Sequence, residues 1–318
     1  MAGAQATPLR FEPPYGVIAK RLRQGYVIPF LGAGASQVGR PQGRAWDPQN
    51  PEFLPSGSEL STLLAEETSF PLAEERRNLA MVASYYHEVS GRRLLRERLR
   101  EIIDRPYSFG PLHSLLASVS APLVIVSTNY DTLLEQAFRA AGRPYHLVAY
   151  PADRKDVAGS VLWWPYGAAD PTVVPPNELD IDLSRDTVIF KMHGTIVTEA
   201  ERWDSFVITE EDYIEFLSRM SANAAIPSLF YPYFRERSFL FLGYGLRDWN
   251  LRVVLRNVSK YLNTTRPNDF DEDEVIPSWA IQSNPSELER RLWARKNVNI
   301  FDLTIDEFIA ALRRQAER

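Results

Sequence analysis

Tyr26-Val27-Ile28-Pro29-Phe30-Leu31 runs directly into Gly32-Ala33-Gly34-Ala35-Ser36, and the rest of the chain is organised around this stretch. An apolar run of strand length that stops at two glycines one residue apart reads as a buried strand ending in a tight backbone turn. Such a turn suits an anion. Glycine permits positive φ and has no Cβ to hold a phosphate off, so the N–H groups of residues 33 to 36 can face negative charge, and Ser36 adds a hydroxyl. The same pattern also occurs in turns that bind nothing. It departs from the dinucleotide fingerprint too, because Gln37 stands where a third glycine belongs. In place of the usual helix and second strand comes Gly39-Arg40-Pro41-Gln42-Gly43-Arg44-Ala45-Trp46-Asp47-Pro48, which reads as a long mobile flap.

Working outward, residues 1–14 read as a flexible tail, followed by a short helix over 15–24. After the flap, helical spacing over 59–67, 73–88, 92–103 and 112–119 predicts a helical lobe, about 55–120, inserted after the first strand. Arg92, Arg93, Arg96, Arg98 and Arg100 alternate with Glu97 and Glu101 around Leu95, Leu99 and Ile102, the pattern of a solvated amphipathic helix rather than a binding surface. A second apolar strand, Pro122-Leu123-Val124-Ile125-Val126, ends in Ser127-Thr128-Asn129-Tyr130-Asp131. A helix over 132–141 then leads to a third strand at 145–149. Continuous apolar strands separated by helices predict an α/β fold, a parallel sheet covered on both faces.

Residues 150–186 read as a loop excursion, with Trp163-Trp164-Pro165-Tyr166 packing over the core or forming a subunit contact in preference to stacking on a base. The sheet resumes at Thr187-Val188-Ile189-Phe190-Lys191, which stops at Met192-His193-Gly194. Phe206-Val207-Ile208 reads as an edge element. Thr209 with Asp212 three residues on predicts a capped helix. Ser238 to Leu242 is a further buried strand running into Gly243-Tyr244-Gly245, with a helix predicted over 247–260 and a polar loop over 263–274. Strands at 276–281 and 298–301 flank a helix at 286–294, and a last helix spans 305–313.

Composition narrows the classes. The chain has 318 residues, 45% of them hydrophobic, and a formal charge of −5, which argues against a general nucleic-acid or anionic-membrane binder. It has no cysteine, so disulfides, thiolate nucleophiles and cysteine-based zinc modules are excluded. The absence of a signal-type or membrane-length apolar run leads to the expectation of a cytoplasmic protein.

Four apolar strands thus end in glycine-containing or polar turns: 32–34, 128–131, 193–194 and 243–245. In an open parallel sheet the carboxyl ends share one edge, so these turns are expected to converge on one cleft. Taken singly, Asn129 and Asp131 are ordinary helix-capping types, and His193 can be a satisfied strand-end histidine.

Together, Phe-Leu-Gly-Ala-Gly-Ala-Ser at 30–36, Ser-Thr-Asn-Tyr-Asp at 127–131, Lys-Met-His-Gly at 191–194 and Phe-Leu-Gly-Tyr-Gly-Leu-Arg-Asp-Trp-Asn at 241–250 resemble the sirtuin-like domains of prokaryotic defence systems, in the family's order and over about residues 15–315. The resemblance implies a Rossmann-like fold that binds NAD. By position, Gly32, Ala33, Gly34 and Ser36 would hold the pyrophosphate, and Thr128 and Asn129 would lie beside the nicotinamide ribose. Asp131 would face the nicotinamide amide, His193 would act as base on a ribose hydroxyl, and Gly243 and Tyr244 would line the adenosine side. Two departures matter. The four-cysteine zinc module of sirtuin deacylases cannot be built here, and their Pro-Asp-Phe-Arg run is missing from the flap. Both favour water over an acyl-lysine peptide as the acceptor.

The residue types suit that chemistry. Cleaving the nicotinamide–ribose bond passes through an oxocarbenium-like state that a positioned water must meet. Asn129 can orient the water or a ribose hydroxyl, and an imidazole of ordinary pKa, about 6.5, can accept a proton. The expectation is an NAD+ hydrolase releasing ADP-ribose and nicotinamide as an NAD-depleting effector in antiphage defence, with NAD as substrate and no zinc or other metal. The alternatives are a non-hydrolytic NAD or ADP-ribose sensor and a zinc-free deacylase. The other histidines, His87, His113 and His146, read as structural. Because the catalytic fold fills the chain, control is expected from a homo-oligomer or from a second protein; the resemblance suggests a HerA-type ATPase or, alternatively, a short Argonaute.

Overall fold

The opening strand β1 (Val27–Leu31) lies inside the sheet and is buried along its whole length. The computed structural model describes residues 12–41, 43–222, 225–244 and 276–316. Its other strands are β2 (Val124–Ser127), β3 (His146–Ala149), β4 (Val161–Trp164), β5 (Thr172–Val174), β6 (Val188–Lys191), β7 (Ser238–Leu242), β8 (Ser278–Ile281) and β9 (Val298–Phe301). They form one nine-stranded sheet in the order β5-β4-β3-β6-β2-β1-β7-β8-β9. All pairings are parallel except β3–β4 and β4–β5. Chain order reverses across β1, since the early strands extend to one side and β7 to β9 to the other.

Register is what positions the site. Leu31 pairs with Ser127 on one side and Leu242 on the other, and Ser127 pairs with Lys191. Four strands therefore end level, and the four turns leave from one edge. This is the crevice that an open α/β sheet offers a ligand.

Alternation along β1 sends Ile28 and Phe30 to one face and Val27 and Leu31 to the other. The first face is covered by α7 (Glu210–Ser221), α8 (Phe230–Glu236) and α9 (Glu287–Ala294), through Phe216, Phe230, Phe234 and Trp293. The second is covered by α1 (Tyr15–Arg23), α5 (Pro111–Ser118), α6 (Leu133–Ala140) and α10 (Ile305–Ala316), through Ile18, Leu116, Phe138 and Phe308. The expected doubly covered, Rossmann-like sheet is the fold.

The inserted lobe comprises α2 (Gly57–Glu67), α3 (Leu79–Ser90) and α4 (Arg92–Ile103), with a core of its own around Leu64, Val82, Leu95 and Leu99 that also takes in Leu133, Ile196 and Phe206. It is smaller than the anticipated 55–120, because α5 packs on the sheet and not on the lobe. The arginines of α4 do more than solvate a face. Arg92 pairs with Asp153 and Asp212 at 2.9 and 2.8 Å, and Arg100 pairs with Asp204 at 2.7 Å, strapping the lobe to the segments beyond β3 and β6.

Other expectations need correction. The excursion 150–186 is not only loop: β4 and β5 extend the sheet, and Trp163 and Trp164 lie in β4, with Trp163 Nε1 donating to His146 Nδ1 at 3.1 Å. Phe206–Ile208 forms no strand; its Val207 N–H donates to the His193 carbonyl, and other backbone groups there bond to the side chains of Arg92, Tyr130 and Asp212. The helix α8 was not anticipated; its sequence, Phe-Tyr-Pro-Tyr-Phe-Arg-Glu, is aromatic enough to read as strand. The tail as far as residue 11, the helix at 247–260 and the loop at 263–274 lie outside the described residues.

Candidate functional site

The turns after β1 and β7 meet backbone to backbone. The Gly34 N–H donates to the Gly243 carbonyl at 2.9 Å, and the Gly32 N–H donates to the Leu242 carbonyl at 2.9 Å. Gly243 has φ of +80°, and a Cβ there would sit 2.1 Å from the Ala35 nitrogen, so only glycine lets the two turns touch. Residues Ala33–Gln37 close into a 3₁₀ turn, with Ala35 N–H on the Gly32 carbonyl at 2.8 Å. Two of the N–H groups predicted to face an anion are therefore bonded within the protein. Tyr244 lies over Gly32, its hydroxyl donating to the Leu31 carbonyl at 2.9 Å and lying 2.9 Å from Thr128 Oγ1.

The β2 turn joins the same place through side chains. Asn129 Nδ2 donates to the Gly32 carbonyl at 3.0 Å and to Ser36 Oγ at 2.9 Å. Because a backbone carbonyl can only accept, the amide orientation is set and both its protons are used. Oδ1 has no partner among the described residues. Ser36, having accepted from Asn129, donates to Asp131 Oδ2 at 2.7 Å, and Asp131 Oδ1 accepts from the Leu133 N–H at 3.1 Å at the start of α6. Ser36 thus links two turns, and its only proton is committed to Asp131.

His193 leaves β6 into a tight corner. Gly194 has φ of +87°, and a Cβ on it would overlap the Ser205 carbonyl. The imidazole is 7% exposed, set edge-to-face against Tyr213 and Phe216 with centroids 5.5 and 5.1 Å away. Burial pushes its pKa down to about 3, not the ordinary value the sequence suggested. It is therefore neutral at physiological pH, and Nε2 is buried without a hydrogen-bond partner.

A cavity of about 540 Å³ joins these pieces, a size usual for ligand clefts. Its lining includes Ala33, Ser36, Thr128, Asn129, Asp131, His193, Gly243 and Tyr244. Of the predicted site residues, Gly32 and Gly34 do not line it; they lie behind Gly243 and Tyr244. Gln37, Tyr130, Arg77 and Tyr213 line it without having been singled out. Tyr213 was within reach of sequence reasoning: the capping box of Thr209 and Asp212 fixes where α7 begins, and Tyr213 follows one turn into the helix. Arg77 was not, because nothing in a polar loop marks which residue the lobe will turn inward.

The segment that follows Gln37 is tied to the start of α2. Arg40 makes a bidentate pair with Glu59 at 2.6 and 2.8 Å, and Glu59 also accepts from the Trp46 and Ser56 N–H groups, which with Arg40 hold its carboxyl far below the usual range. Gln37 Nε2 donates to the Leu54 and Pro55 carbonyls, each at 3.2 Å. Among the described residues no group of three His, Asp or Glu side chains is arranged to hold a metal ion.

Comparison with known proteins agrees with this architecture. The chain is 25% identical over 248 residues to the NAD(+) hydrolase ThsA of Acinetobacter baumannii, covering 76% of this chain and 41% of that protein. It is 20% identical over 292 residues to defense-associated sirtuin 2 of Bacillus subtilis, covering 90% and 24%, and 25% identical over 188 residues to the NAD(+) hydrolase ThsA of Enterococcus faecium, covering 58% and 33%. It thus spans less than half the length of each of these relatives. The model of the SIR2-like domain matches residues 123–301, more than half of the chain, from β2 to β9 and so across three of the four turns that build the cavity. This chain belongs to the SIR2-like family.

Proposed function

We propose that this domain hydrolyses NAD at the nicotinamide–ribose bond, releasing nicotinamide and ADP-ribose, with the cavity at the strand ends as its active site. One observation carries the reading: Asn129 and His193, from the turns after β2 and β6, line a single cavity with Ala33 and Ser36 of the β1 turn and Gly243 and Tyr244 of the β7 turn. The relatives named as NAD(+) hydrolases support it.

The division of labour follows from hydrogen-bonding capacity. Asn129 has spent both amide protons on Gly32 and Ser36, so toward substrate it offers only the acceptor Oδ1, suited to orient a water or a ribose hydroxyl by its proton. His193 brings a neutral imidazole to the cavity wall, its Nε2 buried and without a hydrogen-bond partner. Its depressed pKa makes it a weak proton sink, so its task is to polarise a ribose hydroxyl as a neutral ring while positive charge develops on the sugar. Asp131 is held by Ser36 and the start of α6, and its carboxylate stands ready for the nicotinamide amide. In the overall step water adds to the anomeric carbon, nicotinamide leaves with the bonding pair, and one proton is released.

The test is product analysis in ¹⁸O-labelled water. Equimolar nicotinamide and ADP-ribose, with label on the anomeric oxygen and no need for an acyl-lysine peptide, is the expected result. Tight NAD binding by calorimetry with no product would make the domain a sensor. Release that depends on an acylated peptide would make it a deacylase.

A further inference from the structure

Beneath the Asn129–Asp131 turn lies a charge that the proposed reaction does not use. Lys191, the last residue of β6, is 1% exposed, and its ammonium pairs with Glu135 Oε1 of α6 at 3.0 Å; Glu135 is itself 2% exposed. The same Nζ donates to the backbone carbonyl of Asn129 at 3.3 Å and to that of Asp131. The ammonium thus meets three oxygens, as hydrogen-bond donor to the two carbonyls and as ion-pair partner of Glu135, whose buried carboxylate oxygens make no hydrogen bond among the described residues. Two belong to the residues whose side chains line the cavity on either side of Tyr130. The third anchors the charge on the helix that follows.

We infer that Lys191, held by Glu135, is a positioning residue of the active site: it fixes the Asn129–Asp131 backbone so that both side chains reach Ser36 and the cavity. The inference rests on the proposed reaction only for its kinetic readout. Several features favour positioning over a purely structural ion pair. A buried charge pair is seldom more stabilising than apolar residues of similar size, so its presence at this spot calls for another reason. Neither carbonyl belongs to a sheet or helix ladder, because the turn at 128–131 lies between β2 and α6. The ammonium is also tied to the register that sets the cleft, since Lys191 pairs with Ser127 and the Met192 N–H donates to the Ser127 carbonyl at 2.8 Å. One side chain thus couples the end of β6, which carries His193, to the turn that carries Asn129.

The test replaces both charges at once, Lys191→Met with Glu135→Met, which leaves no buried ion unpaired. Melting temperature, nicotinamide release and amide hydrogen exchange over residues 128–132 are compared with wild type. Positioning predicts a folded protein with a melting temperature near or above wild type, kcat lower by about 100-fold with KM within about threefold, and faster exchange in the turn. Wild-type turnover in the double variant overturns the inference. Should that variant not fold, Lys191→Arg keeps the charge opposite Glu135 but presents a planar fork to a three-way contact. Positioning predicts kcat lower by roughly tenfold in this variant, and wild-type kcat overturns the inference. If wild-type protein itself releases no nicotinamide, the proposed reaction fails, and exchange alone decides the role of Lys191: unchanged protection at 128–132 overturns it.

Discussion

Ser36 makes two hydrogen bonds that set the chemistry of its neighbours, accepting from Asn129 and donating to Asp131. Replacing it by alanine leaves one amide proton and one carboxylate oxygen without their partner. We expect Ser36→Ala to cost about 1–3 kcal/mol in urea unfolding and to lower nicotinamide release roughly tenfold through a looser Asn129. A variant with wild-type stability and rate would mean the link is idle. His193 makes a prediction of the opposite kind, an absence of titration. With its pKa near 3, the imidazole does not protonate between pH 8 and 5, so turnover per folded molecule should show no acid limb centred near the ordinary histidine value. A limb at about 6.5 that disappears in His193→Gln would show that the ring titrates normally. Asn129 and His193 could be named from their places in two short motifs, but their state could not. The pKa of His193 depends on Tyr213 and Phe216, which arrive from a helix some twenty residues further on.

Among the elements, the contact between the β1 and β7 turns is the most sensitive joint. Gly243 and Gly142 both have positive φ, +80° and +62°, but a Cβ at Gly142 meets nothing within 4 Å, whereas at Gly243 it meets the Ala35 nitrogen at 2.1 Å. Gly142→Ala should therefore cost only the backbone strain, about 1–2 kcal/mol, and leave activity intact. Gly243→Ala should cost more than about 2 kcal/mol and abolish turnover, because the turns must part. Equal losses for the two, measured by denaturant titration, would remove the steric argument. The strands were legible because each is a continuous apolar run closed by a glycine or a polar cluster, as at Phe30-Leu31-Gly32 and Leu240-Phe241-Leu242-Gly243. The excursion was less so. Val161-Leu162-Trp163-Trp164 is also an apolar run, but proline and acidic neighbours on both sides masked the antiparallel pairing with Leu147 to Ala149 that makes it a strand. Lys191 was visible at the end of such a run, yet beside Glu135 its partners are two backbone carbonyls, which no side-chain pattern encodes.

For the whole molecule, three buried or half-buried histidines give stability a pH dependence. Burial lowers the pKa of His193, His113 and His146 below the unfolded value near 6.5. The unfolded chain therefore binds more protons than the folded one as pH falls through that value. Stability should be complete above about pH 6.5 and decline below it, with the His193 contribution extending toward pH 3. Urea midpoints that stay constant from pH 8 to 5 would contradict these burial assignments. The same global geometry unites the site: parallel register brings Leu31, Ser127, Lys191 and Leu242 level, so turns more than two hundred residues apart in sequence share one edge. The most direct measurement of that claim is nicotinamide release from NAD by wild type, Asn129→Ala and His193→Ala at matched folding. Wild type should turn over, and each variant should lose at least about 100-fold, since each removes a polar side chain from a shared cavity. Wild-type rates in either variant would contradict the account.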